Sequence, residues 1–391
     1  MNINMKLFIL LSLWTSIAEA QSYKRIHKQA ILIDTHNDIL TKAMEYNYSL
    51  DADLKGKTHS DLSRFKTGGL DVQFFSVWSD GNQKNPFAFA NRQIDSLDAA
   101  IKRNPGKIVK AGTVKEILQV VKENKIAALI GLEGGHQIEN SIENLDALYK
   151  RGTRYITLTW NNSTDWATSA FDENTKPAFK GKGLSDFGKR IVQHMNKIGM
   201  LVDVSHVGEK TFWDVIETTT KPIIASHSSV YKLCPFRRNL KDDQIKAIAR
   251  NKGVIQINFN SGFIDSTEMY KENDFIKSHQ AEYDSLQLAT NNEYIAEEII
   301  HKKYRKESDK LRAPLALVIE HIEYVIKLVG IDYVGIGSDF DGIVVTPQQL
   351  DDVTSYPLIT KALIEKGYTQ KDINKILGGN LLRVLKANEV K

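Results

Sequence analysis

Short runs of apolar and β-branched residues recur along the chain and alternate with longer stretches whose apolar residues are spaced three and four apart. Continuous apolar runs are typical of strands buried on both faces, and their alternation with helices favours a parallel sheet. Eight such runs cover residues 31–35, 72–77, 127–132, 155–159, 201–205, 223–226, 254–258 and 334–337. We therefore predict an α/β fold, the eight-stranded (β/α)8 TIM barrel, with an open doubly wound sheet as the rival.

Amphipathic helices are predicted between these runs, at residues 142–150, 186–198, 242–250 and 315–328. A glycine follows each predicted helix as a stop signal. One interval breaks the alternation, from about residue 264 to 313, where charged residues dominate and Pro314 closes the segment. We predict a helical insertion here, between the seventh and eighth strands. Its composition does not distinguish a solvated spacer from a lid or an oligomer contact.

The first twenty residues have the order of a secretory signal peptide, with Lys6, an apolar core over residues 7–14, and Ala-Glu-Ala at residues 18–20 before the predicted cleavage. Residues 21–391 are then expected to form a single barrel domain. The apolar core is shorter than the roughly 20 residues of a spanning helix, and the chain does not end in an apolar tail, so no membrane anchor is expected. Cys234 is the only cysteine, which excludes an internal disulfide, and we expect a secreted or periplasmic protein.

Composition and charge narrow the classes of function. Hydrophobic residues make up 42% of the chain and charged residues 26%, which is ordinary for a globular protein and unlike a disordered one. The formal net charge of +4 is small, and acidic residues flank even the densest basic run at residues 302–306. No nucleic-acid partner is therefore expected.

The residues that follow the predicted strands have the chemistry of metal ligands. Catalytic groups of a parallel barrel lie just past the carboxyl ends of its strands. Here the first, third, fifth, sixth and eighth runs are followed by His36 and Asp38, Glu133, His206, His227 and Asp339. Residues two apart on an extended strand point to one side, so His36 and Asp38 can reach one cation, and the two oxygens of a glutamate can bridge two cations.

Each of these residues alone has an ordinary structural explanation, since isolated buried histidines are usually packed core groups. Two histidines on successive strands, facing a glutamate and a His-x-Asp pair, are harder to explain, because every buried imidazole would need its own hydrogen-bond partner. His136 is a candidate partner of a ligand. Polar or helical contexts indicate surface or hydrogen-bonded roles for the remaining histidines that follow the first strand, namely His59, His194, His279, His301 and His321.

Six motifs occur in the order and spacing of a known family, at residues 33–38 (IDTHND), 131–136 (GLEGGH), 203–206 (DVSH), 226–229 (SHSS), 237–239 (RRN) and 337–342 (GSDFDG). Residues 380–384 (NLLRV) are similar to its C-terminal signature. The chain thus resembles the membrane dipeptidase (renal dipeptidase) family of zinc-dependent, amidohydrolase-type barrels. The resemblance implies hydrolysis of the peptide bond of free dipeptides, with L,D-dipeptides among the candidate substrates.

The resemblance also implies two Zn²⁺ ions per subunit. One ion would be held by His36, Asp38 and Glu133, and the other by Glu133, His206 and His227. A hydroxide would bridge the pair together with Glu133. Two cations roughly 3.5 to 4 Å apart lower the pKa of a bridging water, while one of them polarises the scissile carbonyl.

Three further residues receive roles from the same resemblance. Asp339 would take a proton from the nucleophile and pass it to the leaving amine, and Arg238 would bind the terminal carboxylate of the substrate. Trp160 departs from the family, because the mammalian enzymes carry a substrate-contacting histidine at that position. An indole donates one hydrogen bond and does not titrate, so we expect an altered substrate preference, with core packing as the alternative role.

Other functions remain open at this point. The same bridging hydroxide would serve an amidohydrolase that acts on N-acyl amino acids or lactams. A tryptophan at position 160 also fits a catalytically silent, metal-containing binding protein, although retention of all the proposed ligand positions favours an enzyme. Relatives often pair, which leaves a homodimer open.

Overall fold

The structure, a computed structural model, describes residues 23–390 of the chain. Its sheet contains β1 (Ile33–Asn37), β2 (Val72–Trp78), β3 (Ile108–Lys110), β4 (Ile126–Glu133), β5 (Thr153–Thr157), β6 (Leu201–Asp203), β7 (Ile224–Ser228), β8 (Val254–Ile257) and β9 (Val334–Ile336).

Helices connect the strands and cover the outside of the sheet. They are α1 (residues 23–29), α2 (Ile39–Tyr46), α3 (Leu62–Thr67), α4 (Pro86–Arg103), α5 (Val114–Lys122), α6 (Ile142–Lys150), α7 (Ala170–Thr175), α8 (Asp186–Ile198), α9 (Glu209–Thr218), α10 (Asp242–Arg250), α11 (Ser261–Ile264), α12 (Glu268–Ser278), α13 (Gln280–Thr290), α14 (Glu293–Lys303), α15 (Arg305–Ser308), α16 (Leu315–Val329), α17 (Tyr356–Glu365), α18 (Gln370–Asn374) and α19 (Asn380–Asn388).

The strands form a parallel barrel, which confirms the predicted fold class. Neighbours pair in the order β1-β2-β4-β5-β6-β7-β8-β9, and each pairing is parallel. The additional strand β3 pairs with the first residues of β4, while β5 pairs with its last residues. Sequence analysis missed β3 because three residues are too short to give a recognisable apolar run.

The first and last strands close the barrel through their carboxyl ends. Asn37 forms a bridge with Phe340, and the amide of Asp38 donates to the Phe340 carbonyl at 2.9 Å. The buried carboxylate of Asp34 reinforces this seam, because it accepts hydrogen bonds from the Ser338 amide at 2.8 Å and hydroxyl at 2.6 Å. The closure brings the residues after β9 against those after β1.

Apolar side chains fill the barrel and the layer between strands and helices. The strands are almost completely buried, as expected for a sheet covered on both faces. One core cluster joins residues near the strand starts, such as Val72 and Leu129, to Leu381 and Val384 of α19. The last helix therefore packs across the amino-terminal end of the barrel, and the opposite end remains available for a site.

Two predicted strands were displaced by two residues. The first was expected at residues 31–35 and is Ile33–Asn37, and the fourth was expected at 155–159 and is Thr153–Thr157. The strand bounds are set by hydrogen bonding to the neighbouring strand, in which Ile33 lies opposite Val72. The apolar character of the sequence, on which the prediction was based, does not determine them. As a result, His36 lies within its strand and Trp160 lies three residues beyond the end of its own.

The insertion between β8 and β9 is helical, as predicted. Helices α12 to α15 lie within the expected interval, and Pro314 precedes α16. Among residues 23–390, no helix combines the length and apolar character needed to cross a membrane. The predicted signal peptide and its cleavage after Ala20 lie outside the described residues.

Candidate metal centre

The barrel brings the sequence-predicted residues together at its carboxyl end. His36 lies in β1, Glu133 is the last residue of β4, and His227 lies in β7. His206 follows β6 by three residues, and Asp38 follows β1 directly. The side chains come from four different strands, so only the closed barrel can gather them.

Glu133 stands at the centre, and its two oxygens face different histidines. Oε2 lies 3.3 Å from Nε2 of His36. Oε1 lies 2.9 Å from Nε2 of His206 and 3.4 Å from Nε2 of His227. One carboxylate therefore divides the imidazoles into two sets, one on each oxygen.

Two aspartates complete the side of the cluster that contains His36. Nε2 of His36 is 3.4 Å from Oδ2 of Asp38 and 3.9 Å from Oδ1 of Asp339. One ligand atom from each of these three residues lies within 4.8 Å of the others, and His36, Glu133 and His227 form a second such set. Gly342 leaves the room required, since a Cβ there would lie 2.3 Å from Oδ2 of Asp38.

The hydrogen bond on the far side of His36 fixes its tautomer. The Tyr155 hydroxyl donates to the Thr35 carbonyl at 2.9 Å, so it accepts from Nδ1 of His36, which is 2.8 Å away. Nδ1 then carries the proton, and the Nε2 lone pair points at Glu133. Gly131 makes space for the phenol, because a Cβ there would be 1.9 Å from Cζ of Tyr155.

His227 is oriented in the same way by a different pair of residues. The Ser226 hydroxyl donates to Oδ2 of Asp203 at 2.5 Å and lies 2.8 Å from Nδ1 of His227. The hydroxyl is thus the acceptor for the proton on Nδ1. Asp203 also accepts from the Thr157 hydroxyl and the Ser205 amide, which ties the carboxyl ends of β5 and β6 to this histidine.

The protonation states suit metal binding. Burial opposes ionisation of Glu133, but a protonated His36 and the neighbouring imidazoles outweigh it and hold the pKa of Glu133 well below the usual range. Burial lowers the pKa of His36, but Tyr155, Glu133 and Asp38 outweigh it and raise that pKa well above its usual value, so without a cation His36 carries a second proton. Burial and the nearby charge of Arg238 lower the pKa of His206 to about 3. Burial and the charge of His36 likewise depress the pKa of His227. An ionised Glu133 facing neutral His206 and His227 suits a divalent cation, which would displace the second proton of His36.

Unpartnered ring nitrogens indicate that the cluster fits a cation. In the part of the chain that the structure describes, Nε2 of His36 and Nε2 of His227 are buried and have no hydrogen-bond partner. Both face the carboxylate of Glu133. Imidazole nitrogens and a carboxylate that converge without hydrogen bonds between them leave a place for a divalent cation.

Asp339 lies at the edge of the cluster in a constrained conformation. Its φ of 62° is in the left-handed region, as is the φ of 64° at His206. Oδ2 accepts a hydrogen bond from Nδ2 of Asn258 at 2.8 Å, which leaves Oδ1 facing His36. Burial and the like charges of Asp38 and Glu133 outweigh the opposing charge of His36 and raise the pKa of Asp339 to about 8.

Arg238 is buried beside the cluster with most of its donors unused. One guanidinium nitrogen donates to the His227 carbonyl at 3.3 Å. Nε and Nη1 are buried and have no partner among residues 23–390. Burial lowers the pKa of Arg238 to about 10, against the opposing charges of Asp339 and Glu133, so the side chain stays cationic.

Trp160 belongs to an aromatic group at the mouth of the barrel. Its ring packs edge to face on Trp78, with centroids 4.9 Å apart, and lies 6.0 Å from Tyr294 of α14. The indole is 6.5 Å from the ring of His206. Trp160 is half-buried, so it lines the mouth instead of filling the core.

Sequence analysis missed the groups that orient the ligands. Tyr155 and Ser226 hold Nδ1 of the two histidines, and Asp34 and Asp203 anchor the strands beneath them. The sequence did contain a signal for such groups, namely aspartates within otherwise apolar strands. A buried carboxylate needs hydrogen-bond partners, so it marks a place where polar side chains meet. His136, expected as a partner of a ligand, instead contacts Ser79, with Nε2 3.0 Å from its hydroxyl.

Comparison with known proteins agrees with this geometry. A family model described as membrane dipeptidase, peptidase family M19, matches residues 20–391. The chain belongs to the membrane dipeptidase family. Its members are metallopeptidases, and the chain is accordingly a metallo-dipeptidase. It is 31% identical to an uncharacterized dipeptidase, C965.12, of Schizosaccharomyces pombe, over 95% of this chain and 83% of that protein.

Solved structures share the fold of this membrane dipeptidase family member. The probable dipeptidase PvdM from Pseudomonas aeruginosa superimposes with a TM-score of 0.77 at 24% identity, covering 95% of this chain and 98% of that one. A metallo peptidase from Rhodobacter sphaeroides, liganded with a phosphinate mimic of the dipeptide L-Ala-D-Ala, gives 0.75 at 22% identity, with 92% and 100% covered.

Proposed function

We propose that this metallo-dipeptidase uses two zinc ions at the barrel mouth to hydrolyse free dipeptides, L,D pairs among them. The observation that carries the proposal is the position of Glu133, whose Oε2 faces His36 while Oε1 faces His206 and His227. A carboxylate with imidazoles on both oxygens is suited to join two cations.

The proposed ligands of one ion are His36, Asp38 and Glu133, and those of the other are Glu133, His206 and His227. When bound, the ions would supply a nucleophile from water at neutral pH and polarise the scissile carbonyl. Tyr155 and Ser226 accept from Nδ1 of His36 and His227, so in the neutral rings Nε2 carries the lone pair that a cation would use. These contacts preorganise the cluster, so little reorganisation accompanies ion binding.

Asp339 is the proposed proton carrier. Asn258 fixes Oδ2 and leaves Oδ1 directed at the cluster, where an attacking water would lie. Oδ1 can take the proton of that water and then deliver it to the nitrogen of the leaving amine. The same carboxyl group thus serves first as a base and then as an acid.

Arg238 and Trp160 are the proposed substrate contacts. The guanidinium of Arg238 has N–H donors on Nε and Nη1 that lack a partner among residues 23–390, and its planar fork suits a terminal carboxylate. This contact would favour free dipeptides over longer peptides whose carboxylate lies elsewhere. Trp160, packed on Trp78, offers an aromatic wall in place of a titratable group, so it would select substrates by shape and apolar contact.

A substrate panel tests the function. Purified, zinc-loaded protein should hydrolyse both L-Ala-L-Ala and L-Ala-D-Ala, the latter because a related structure binds a mimic of it. N-acetyl-alanine is the comparison substrate, and faster turnover of it would favour an N-acyl amino acid hydrolase. An Asp339→Asn variant should retain metal and lose about 10²–10⁴-fold in kcat. Absence of dipeptide turnover in zinc-loaded protein would reject the proposal and favour a silent binding protein.

We further propose that residues 1–20 are an export signal and that the enzyme works outside the cytoplasm. The family match begins at residue 20, next to the proposed cleavage after Ala20. N-terminal sequencing of secreted protein should begin at Gln21. A homodimer also remains a proposal, and light scattering of the purified enzyme gives its mass directly.

A further inference from the structure

A second group of histidine and carboxylate side chains lies within the helical insertion. One ligand atom from each of Glu272, Glu297 and His301 lies within 4.8 Å of the others. Glu272 belongs to α12, whereas Glu297 and His301 belong to α14. Nε2 of His301 is 2.8 Å from Oε1 of Glu272, so the two helices meet through these groups.

The spacing of the residues places them on facing helical surfaces. Glu268 and Glu272 are four residues apart on α12, and Glu297 and His301 are four apart on α14. Side chains at that spacing lie one above the other on the same face. Metal sites in helical bundles are built from side chains on facing helices.

A further carboxylate, Glu268, lies one turn before Glu272 on α12 and is 5% exposed. Oε2 of Glu272 is buried without a partner in the described chain. Two carboxylates, those of Glu272 and Glu297, thus converge on one imidazole, and one of their oxygens is buried without a partner among residues 23–390.

The two lysines beside the cluster pair with acids outside it. Nζ of Lys271 binds Asp265 at 3.0 Å, and Nζ of Lys42 binds Glu298. His301 is held on its far side by the Ser308 hydroxyl, 2.7 Å from Nδ1. When Nδ1 donates to that hydroxyl, the Nε2 lone pair faces Glu272, as the Nε2 lone pair of His36 faces Glu133.

We propose that Glu272, Glu297 and His301 bind a divalent transition-metal ion, Zn²⁺ or Mn²⁺, that fastens α12 to α14. Carboxylates with one imidazole favour these ions over Ca²⁺ and Mg²⁺, which take oxygen ligands. A cavity of about 490 Å³ lined by Glu272, Tyr283 and Glu297 gives the ion access from solvent.

The site has a consequence for the barrel mouth. Tyr294 lies one turn before Glu297 on α14, and its ring is 6.0 Å from Trp160 and 6.3 Å from Trp78. An ion that fixes α14 therefore also fixes the aromatic wall above His206. Its role is structural, in the insertion, and is separate from the proposed catalytic ions.

Metal content measured in three variants tests the proposal. Protein is dialysed against a chelator, re-equilibrated with Zn²⁺ or Mn²⁺, and analysed by inductively coupled plasma mass spectrometry. Glu272→Gln/Glu297→Gln should hold about one ion per chain less than the native protein. The control Glu282→Gln/Glu307→Gln removes two acids of the same insertion that lie outside the cluster and should match the native count.

A third variant separates this site from the barrel mouth. His36→Ala/His206→Ala/His227→Ala removes histidine ligands of both proposed mouth ions. It should retain about one ion per chain, and adding that ion should slow hydrogen exchange in α12 and α14. Equal metal content in the native and Glu272→Gln/Glu297→Gln proteins, or an ion-free His36→Ala/His206→Ala/His227→Ala protein, would overturn the inference and indicate that protons neutralise these carboxylates. Failure of dipeptide turnover alone would leave it standing.

Discussion

The barrel mouth and the helical insertion each gather histidines and carboxylates, but they do so on different scaffolds. At the mouth, His36, Glu133 and His227 come from three strands of one closed sheet. In the insertion, Glu272 and His301 come from two helices outside that sheet. The first group is covered by the core of the whole fold, and the second by a small local cluster around Phe275.

This difference determines how firmly the ligands are held. Behind His36 and His227 stand Tyr155 and Ser226, whose hydroxyls are themselves fixed by a backbone carbonyl and by Asp203. His301 has only the Ser308 hydroxyl behind it. A ligand with a fixed partner suits catalysis, where geometry must persist through the reaction, whereas a structural site can organise as its ion binds.

The largest expected effect is at the residue on which the mouth depends. Glu133→Gln removes the charge between the histidines with little change in shape, so dipeptide turnover should fall by at least about 10³-fold and zinc content should drop. The matched change Glu282→Gln, on the surface of the insertion, should preserve both. Zinc content and kcat/KM, measured together, distinguish loss of metal from loss of fold.

His321 connects the two regions, and its titration should affect stability. Its Nδ1 accepts from the Val230 amide, and its Nε2 lies 3.1 Å from the carbonyl of Ile264, where the insertion begins. Burial lowers its pKa from 6.5 to about 4. Neutral His321 thus contributes stability that is complete above pH 6.5 and lost as pH falls towards 4, by up to about 3 kcal/mol.

Urea unfolding from pH 7 to 4 measures this contribution. His321→Gln should flatten the acid limb of stability relative to the native protein, and the surface variant His194→Gln should leave that limb unchanged. If the free energy of unfolding of His321→Gln falls as steeply with decreasing pH as that of the native protein, another residue is responsible for the fall.

A smaller effect is expected from the support behind one ligand. Tyr155→Phe removes the acceptor for Nδ1 of His36 while the ring keeps its packing on Phe74. Zinc affinity at the mouth should weaken about 10–100-fold, which is the usual effect of losing such a partner. Competition with a chromogenic chelator gives the affinity, and an unchanged value would mean that packing alone orients the imidazole.

The smallest effect on turnover is expected from the corresponding change in the insertion. Ser308→Ala removes the partner of His301 and should weaken the proposed insertion site about tenfold. Because this site supports Tyr294 only indirectly, kcat should change by less than about threefold. A tenfold fall in kcat without a change in metal affinity would show that the insertion acts on catalysis by another route.

The sequence predicted the barrel and the cluster at its mouth for the same reason. Apolar runs revealed the strands, and polar residues such as His36 and His227 stood at their ends, where a parallel barrel collects function. What it did not predict depends on contacts between distant residues. Nothing near Tyr294 in the chain indicates that it packs on Trp160, and His301 was assigned a satisfied structural role because its neighbours on α12 lie about thirty residues away.

The central claim is that Glu133 joins two zinc ions, and anomalous diffraction from crystals of the zinc-loaded enzyme tests it directly. Data collected on both sides of the zinc absorption edge should give two peaks at the barrel mouth, about 3.5–4 Å apart, with one carboxylate oxygen of Glu133 bound to each. A single peak, or two peaks of which Glu133 contacts only one, would contradict the account.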